Sequence, residues 1–452
     1  MPPGAPGTLV NDQHAKDLLA MCDQPPAPPV PVELAVTTTA DEVDRTPGDG
    51  TCAAESNACS LRAAVQEANR LPGTQTIRVP AGSYVLSRTP ADEAGPDPAA
   101  GGDLDLLDEV IILGVDRATV IVDGNRLSRI FEVAPGVTAD IQQMTIRNGN
   151  DSGGGGIQVT SGSLTLRRVI VQNNESSFKG GGIAVGGLDS KLHIRNSIIR
   201  SNRAPFFSGD GGGIDASGRI TIEDSRIIGN EAAFAGGGLR ATGTVRVVRS
   251  TIANNRASGG TFFSNGGGIS AVGLDLADST VSGNFAEAQG GGVFATGSIF
   301  NSTISRNRSA TNGGGVSTSG TLSLLHATIA FNRADDGGSS LDQFGLGSEL
   351  SFQNTILASR SGPECAGLPP ASRGNNIIDD LSCGPRQAGD RPGIDPRLND
   401  TLADNGGPTL THVLRPGSPA IDAAADVGLL RDQRGVRRPQ GPGSDIGAVE
   451  KN

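Results

Sequence analysis

The sequence predicts an all-β chain folded as a single right-handed parallel β-helix, a solenoid with three short strands per coil and a short N-terminal capping helix. Three observations carry that prediction. First, a motif of β-branched residues closing on Asn recurs along the chain: NSIIRSN from Asn196, RSTIANN from Arg249, DSTVSGN from Asp278, NSTISRN from Asn301 and HATIAFN from His326. Aligned on Asn174, Asn202, Asn230, Asn255, Asn284, Asn307 and Asn332, successive units are 28, 28, 25, 29, 23 and 25 residues long. A period of that length means one supersecondary unit stacked on itself. Second, each unit holds three apolar segments of period two and none of helical period. Third, 66 of 452 residues are Gly, Trp is absent and Tyr occurs once, so small and β-branched side chains must fill the interior.

The elements follow in chain order. Residues 1–33 are Pro-rich and are expected to be a disordered tail. Residues 34–75 form an N-terminal cap whose helix spans 59–69, with Ser60 as N-cap and Leu61, Ala64, Val65 and Ala68 on one face. Such a helix covers the open edge of a solenoid, which otherwise templates aggregation. Residues 76–360 are the β-helix. Its first strand column reads Leu192, Ile220, Val245, Leu274; its second Ile199, Ile227, Ile252, Val281, Ile304, Ile329; its third, after the glycines, Ile157, Ile183, Ile214, Leu239, Ile269, Val293, Val316. Residues 361–452 are an irregular closing segment.

Stacking explains the repetition, since each residue sits on its counterpart one coil away and a favourable choice becomes a ladder. The Asn at each bend is expected to take left-handed geometry and to bond turn backbone and neighbouring Asn groups. Thr251, Thr280, Thr303 and Thr328 should form an outward row. The column Asn196, Asp224, Arg249, Asp278, Asn301, His326 reads as an exposed register ladder with Arg249 attracted to both neighbouring acids. The glycines supply positive φ or close approach.

Two terminal regions resemble known ones. VTTTADEVD at 36–44 with CSLRAAVQEAN at 59–69 is similar to the CSLREA-type N-terminal region of bacterial right-handed parallel β-helix proteins, with Ala63 where the motif has Glu. NGGPTLTHVLRPGSPAIDAA, DQRGVRRP and DIGAVE resemble the choice-of-anchor Q segment. The GGGI and S-x-I-x-x-N repeats resemble polymorphic outer-membrane-protein repeats. The resemblance implies an extracellular or cell-surface location and no single chemistry. Handedness rests on it and on the right-handed rule for parallel crossovers.

Cysteines agree with that compartment. Spacing pairs Cys52 with Cys59 and Cys365 with Cys383, leaving Cys22 in the tail, against the alternative of reduced thiols. No signal-peptide pattern occurs in the first thirty residues. No apolar run reaches a membrane span, and the net charge of -11 with no basic run argues against nucleic acid.

Chemistry-bearing motifs are sparse. Asp335 and Asp336 are the one adjacent Asp–Asp pair in the repeats and the only weak catalytic candidates; a solvated loop is the plainer reading. Among His14, His193, His326 and His412, none has an evident orienting partner. SGDGGGID places Asp210 and Asp215 in a Gly-rich turn that invites calcium, although the other coils lack matching Asp, and no cofactor is expected otherwise. The segment between each Asn and the next glycines holds seven of 13 Phe. Phe206, Phe207, Phe262 and Phe263, with Arg203 and Arg256, define the candidate binding row. Self-packing of these rings is the first expectation and a ligand groove the second. The expected function is an adhesin-type scaffold binding a polysaccharide or cell-surface protein. The competing class is a polysaccharide lyase or glycoside hydrolase.

Overall fold

The computed structural model describes residues 32–90, 97–206, 209–259 and 263–451. The chain is a right-handed parallel β-solenoid with one α-helix among the described residues, α1, Leu61–Ala68. Residues 1–31 of the Pro-rich tail, with His14 and Cys22, lie outside the described residues. Glu33, assigned to that tail, instead begins a strand, Glu33–Ala35, which pairs in parallel with Gln75–Val79.

Every strand pair is parallel and joins one coil to the next. The aliphatic columns stack in register: Ile199, Ile227, Ile252, Val281, Ile304 and Ile329 are consecutive partners. So are Ile157, Ile183, Ile214, Leu239, Ile269, Val293 and Val316. All are at most 1 % exposed, and they form the core with Phe131 and Phe352 as the large buried rings. Most coils supply two strands to a 22-stranded sheet, the broad face, and one to a 13-stranded sheet, the middle face. A fourth stack of eight very short strands, including Arg203–Ala204, Arg256–Ala257 and Arg333–Ala334, follows the Asn positions and makes a short face. Most of these have two residues, too short to show a period; in coils where the broad face is one continuous strand, such as Ile269–Ala277, the count is three, and elsewhere the broad face divides into two.

The seven Asn form a continuous buried ladder. Each side-chain amide donates to the Oδ1 of the next, at 2.9 Å from Asn174 to Asn202 and 3.0 Å from Asn307 to Asn332. The left-handed geometry expected of these Asn belongs to the residue before each: Asn173, Ser201, Gly229, Asn254, Gly283, Arg306 and Phe331 have φ between 54° and 65°. That residue turns the corner, and the ladder Asn follows with its amide directed inward onto the coil above. A second ladder runs through Ser197, Ser225, Ser250, Ser279 and Ser302, each hydroxyl oxygen accepting the backbone N–H of the previous Ser at 3.1 Å.

In α1 the Ser60 hydroxyl accepts the Ala63 N–H at 3.0 Å, and all eight residues are buried. Arg62 is the least expected of them. Its guanidinium donates to the carbonyls of Ala99, Gly101, Gly102 and Asp103 at 2.8–3.0 Å and pairs with Asp41 at 2.7 Å. Disulfides join Cys52 to Cys59 beside the helix and Cys365 to Cys383 in the last coils.

Strand pairing continues beyond the expected limit at residue 360, through Cys365–Gly367, Ile377–Ile378 and Arg391–Pro392. The following segment, 395–451, runs back beside the middle face. Leu410 O accepts from Thr280, Gln433 Oε1 from Thr303, and the Thr328 hydroxyl accepts the Ala448 N–H. The Thr row is therefore outward of the strands but not exposed: Thr280 and Thr303 are 0 % accessible. The same cover changes the register column. Asp224 and Arg249 pair through two hydrogen bonds, at 2.7 and 2.9 Å, near the surface. Asn301 and His326, farther on, are buried.

Candidate functional site

The short face begins where each ladder Asn ends. Its first strand position stacks Glu175, Arg203, Glu231, Arg256, Phe285, Arg308 and Arg333 in register. Arg203 pairs with Glu231 at 3.2 Å. The Arg256 guanidinium lies 4.4 Å and that of Arg308 5.7 Å from the centre of the Phe285 ring, one above and one below. Cations over a ring face gain from its quadrupole while remaining partly hydrated. The result is a solvent-facing strip in which Glu and Arg alternate from Glu175 to Arg256, an aromatic rung follows at Phe285, and two Arg close it.

Beyond this strip, Phe206 is 54 % and Phe263 61 % exposed, and Phe178 also projects into solvent. Phe263 stacks on Phe234 with ring centres 5.4 Å apart and planes 18° from parallel. One pair of rings therefore packs together, while its outer ring and Phe206 stay accessible. Phe207 and Phe262 lie outside the described residues.

The acidic candidates are held by guanidiniums. Asp335 receives Arg308 at 2.7 Å and Arg333 at 3.1 Å, and the Arg308 hydrogen bond keeps its carboxyl below the usual carboxylate range. Asp336 is exposed beside it. A base needs a pKa near the operating pH, so Asp335 is poorly suited to that role. Asp210 and Asp215 flank Arg240, at 3.4 and 2.9 Å. Asp210 is pushed up by burial, which Arg240 opposes. The positive charge between these two acids is a side chain of the next coil, where Arg240 is in register with Asp215.

Coil-on-coil register assembles groups that no local motif revealed. Asp103, Asp105 and Glu132 present carboxylate oxygens within 4.8 Å of one another. Arg129 bridges them, 2.9 Å from Asp103 and 3.3 Å from Glu132, and reaches Asp151 at 3.3 Å. Only the register of Asp105 on Glu132 unites them, and that pairing joins residues 27 apart in a part of the chain without the Asn motif. In the last coils Glu364 is fully buried, with Ser340 donating to one oxygen and the Ser359 N–H to the other at 2.6 Å. Burial and then Asp379 push its carboxyl well above the ordinary value.

Two histidines, His412 in the return segment and His326 against it, lie at its contact with the solenoid. His412 donates from Nδ1 to Asn399 O at 2.7 Å, which leaves Nε2 to accept from Ser305 at 2.8 Å. Ser305 and His412 are at most 1 % exposed, so the dyad meets no solvent. His326 Nε2 accepts the Asn354 amide at 2.9 Å. His193, half-exposed, stands 3.6 Å from Glu223.

Comparison with known proteins gives the following. Residues 129–308 match the family model for the right-handed beta helix region. No curated protein matches. A crystal structure of pectate lyase Pel9A is similar at 15 % identity and a TM-score of 0.46, over 93 % of this chain and 96 % of that one. No helix among the described residues is long and apolar enough to cross a membrane.

Proposed function

We propose that this protein is a secreted or surface-displayed β-helix scaffold of adhesin type, whose short face and adjoining loops bind a polysaccharide or a protein partner. The observation that carries the reading is the accessible face itself: Phe206 and Phe263 are exposed in the loops that follow Arg203 and Arg256, and Arg256 and Arg308 bracket the Phe285 ring. Exposed rings flanked by guanidiniums are the residue types that anchor protein and carbohydrate contacts. A rigid solenoid also presents such a strip without an ordering cost on binding. Two disulfides agree with an oxidising compartment.

The competing reading, a polysaccharide lyase or glycoside hydrolase with calcium as a candidate cofactor, draws on the three carboxylates gathered at Arg129. An array of acidic and neutral polysaccharides separates the two. The scaffold reading expects retention without release of unsaturated or reducing ends, and loss of retention in the Phe206→Ser/Phe263→Ser variant. Steady release of product ends, abolished by Asp105→Ala, would instead establish the enzyme.

A further inference from the structure

The middle face is covered over only part of its length. Before Asp278 its corner column opens to solvent, and there a depression is lined by Arg117, Arg168, Asn196, Asp224 and Arg226. It shares Asp224 and Arg226 with a second depression that ends against the return segment at Asp404 and Pro408. Together they form a groove along the solenoid axis, closed at one end.

Its charge is lopsided. Asp224 is committed to Arg249 through two hydrogen bonds. Arg117 donates to Asn196 O at 3.0 Å, and neither it nor Arg168 or Arg226 has an ion-pair partner among the described residues. Asp116, beside Arg117 in sequence, accepts the Ala118 N–H. Arg168 and Asp224 lie two coils apart in the corner column, so the cations are spread over about 10 Å of the axis. Three unpaired guanidiniums on a chain of net charge -11 make a local positive island.

We propose that this groove binds a linear anionic glycan, with carboxylate or sulfate groups seated on Arg117, Arg168 and Arg226 and the chain running along the axis towards the return segment. Guanidinium forks match both anions in geometry. Asn196 and Thr251 offer amide and hydroxyl partners for sugar hydroxyls between the charges. The overall negative charge and the lack of a broad basic face oppose duplex DNA as the ligand. The site is separate from the Phe-bearing loops and does not depend on their role.

Affinity electrophoresis of the full chain through gels containing polygalacturonate, dextran sulfate, neutral dextran or duplex DNA tests this. Retardation is expected with at least one anionic glycan and not with dextran; polygalacturonate alone assigns carboxylates, dextran sulfate alone sulfates. Arg168→Ser and Arg226→Ser should each weaken it about tenfold, as removal of a charge-assisted contact does. Arg168→Gln/Arg226→Gln serves if the Ser variants melt early. Four results would overturn the proposal: retardation by neither anionic glycan, equal retardation of the double variant, Arg-dependent retardation by DNA alone, or loss only in Phe263→Ser.

Discussion

Asn255 shows what one ladder residue does. Its Oδ1 accepts both the side-chain amide and the backbone N–H of Asn230, while its own amide donates to Ile227 O and to Asn284. Truncation to Ala removes the acceptor of the Asn230 backbone N–H and of one hydrogen of its amide, and the amide donor to the Ile227 carbonyl, so Asn255→Ala should destabilise by about 3 kcal/mol, while exposed Arg195→Ala should stay within about 0.5 kcal/mol. Urea unfolding followed by circular dichroism compares them; equal midpoints would remove the ladder as a source of stability. The neighbouring glycines divide by cause. A Cβ on Gly238 would sit 2.7 Å from Gly268 O, whereas Gly229 has open space and a φ of 63°. Gly238→Ala should therefore cost about 1–3 kcal/mol by overpacking, and Gly229→Asn should be nearly neutral because Asn tolerates that conformation. Proteolytic half-lives would rank the two, and a reversed order would refute the steric account. The strand columns were legible because alternation survives in every coil. The corner was not, since doubled Asn such as Asn173–Asn174 and Asn254–Asn255 leaves open which one turns the chain.

Helix α1 was legible as an element, through Ser60 and its apolar face, but its central attachment was not. Arg62 reads locally as an ordinary polar helix residue. It is buried because carbonyls 37 to 41 residues downstream converge on it. Burial raises the Asp41 carboxyl, but bonds from Arg62 and from the Ser87 and Arg88 amides outweigh it and hold it below its ordinary value. Removing one partner of such a buried pair leaves an uncompensated charge, so Arg62→Ala should destabilise the cap by about 3–5 kcal/mol. Arg62→Lys should rescue little of that, because one ammonium cannot reach five acceptors arranged around a planar fork. Thermal unfolding of the two variants decides; a Lys variant equal to wild type would mean that charge, not fork geometry, anchors the helix. The short face shows the same limit. Its aromatic and cationic residues were visible in sequence, whereas the alternation of Glu175, Arg203, Glu231 and Arg256 appears only when coils of 28, 28 and 25 residues are laid in register.

For the molecule as a whole, the return of residues 395–451 along the middle face makes one body from parts 130 residues apart, such as Thr303 and Gln433. No periodic signal announces it, because the segment pairs by side chain with a face that the repeat itself left polar. Two neutral imidazoles lie in that interface. Burial lowers His412 from 6.5 to about 4, near Arg306 and Asp400. Burial, and then Arg438, lowers His326 from 6.5 to about 3. A depressed folded pKa means that the unfolded chain binds the proton first, so stability from both groups is complete above 6.5 and drains away as pH falls towards the folded values. Between pH 6.5 and 5 the loss should reach about 2 kcal/mol for each imidazole. Asp445, raised by burial to about 6, and Glu364 act with the opposite sign, losing stability as pH rises. The comparison must therefore be between proteins and not only between pH values. Wild type should lose protection of residues 395–451 against hydrogen exchange at about pH 5 relative to pH 7.5, whereas His326→Gln/His412→Gln, which cannot take up those protons, should show a flatter profile. A double variant with the wild-type pH dependence would show that other groups set the acid sensitivity of the return segment. A flatter one would mean that two histidines, each mute in sequence, tie the segment to the solenoid only while they remain neutral.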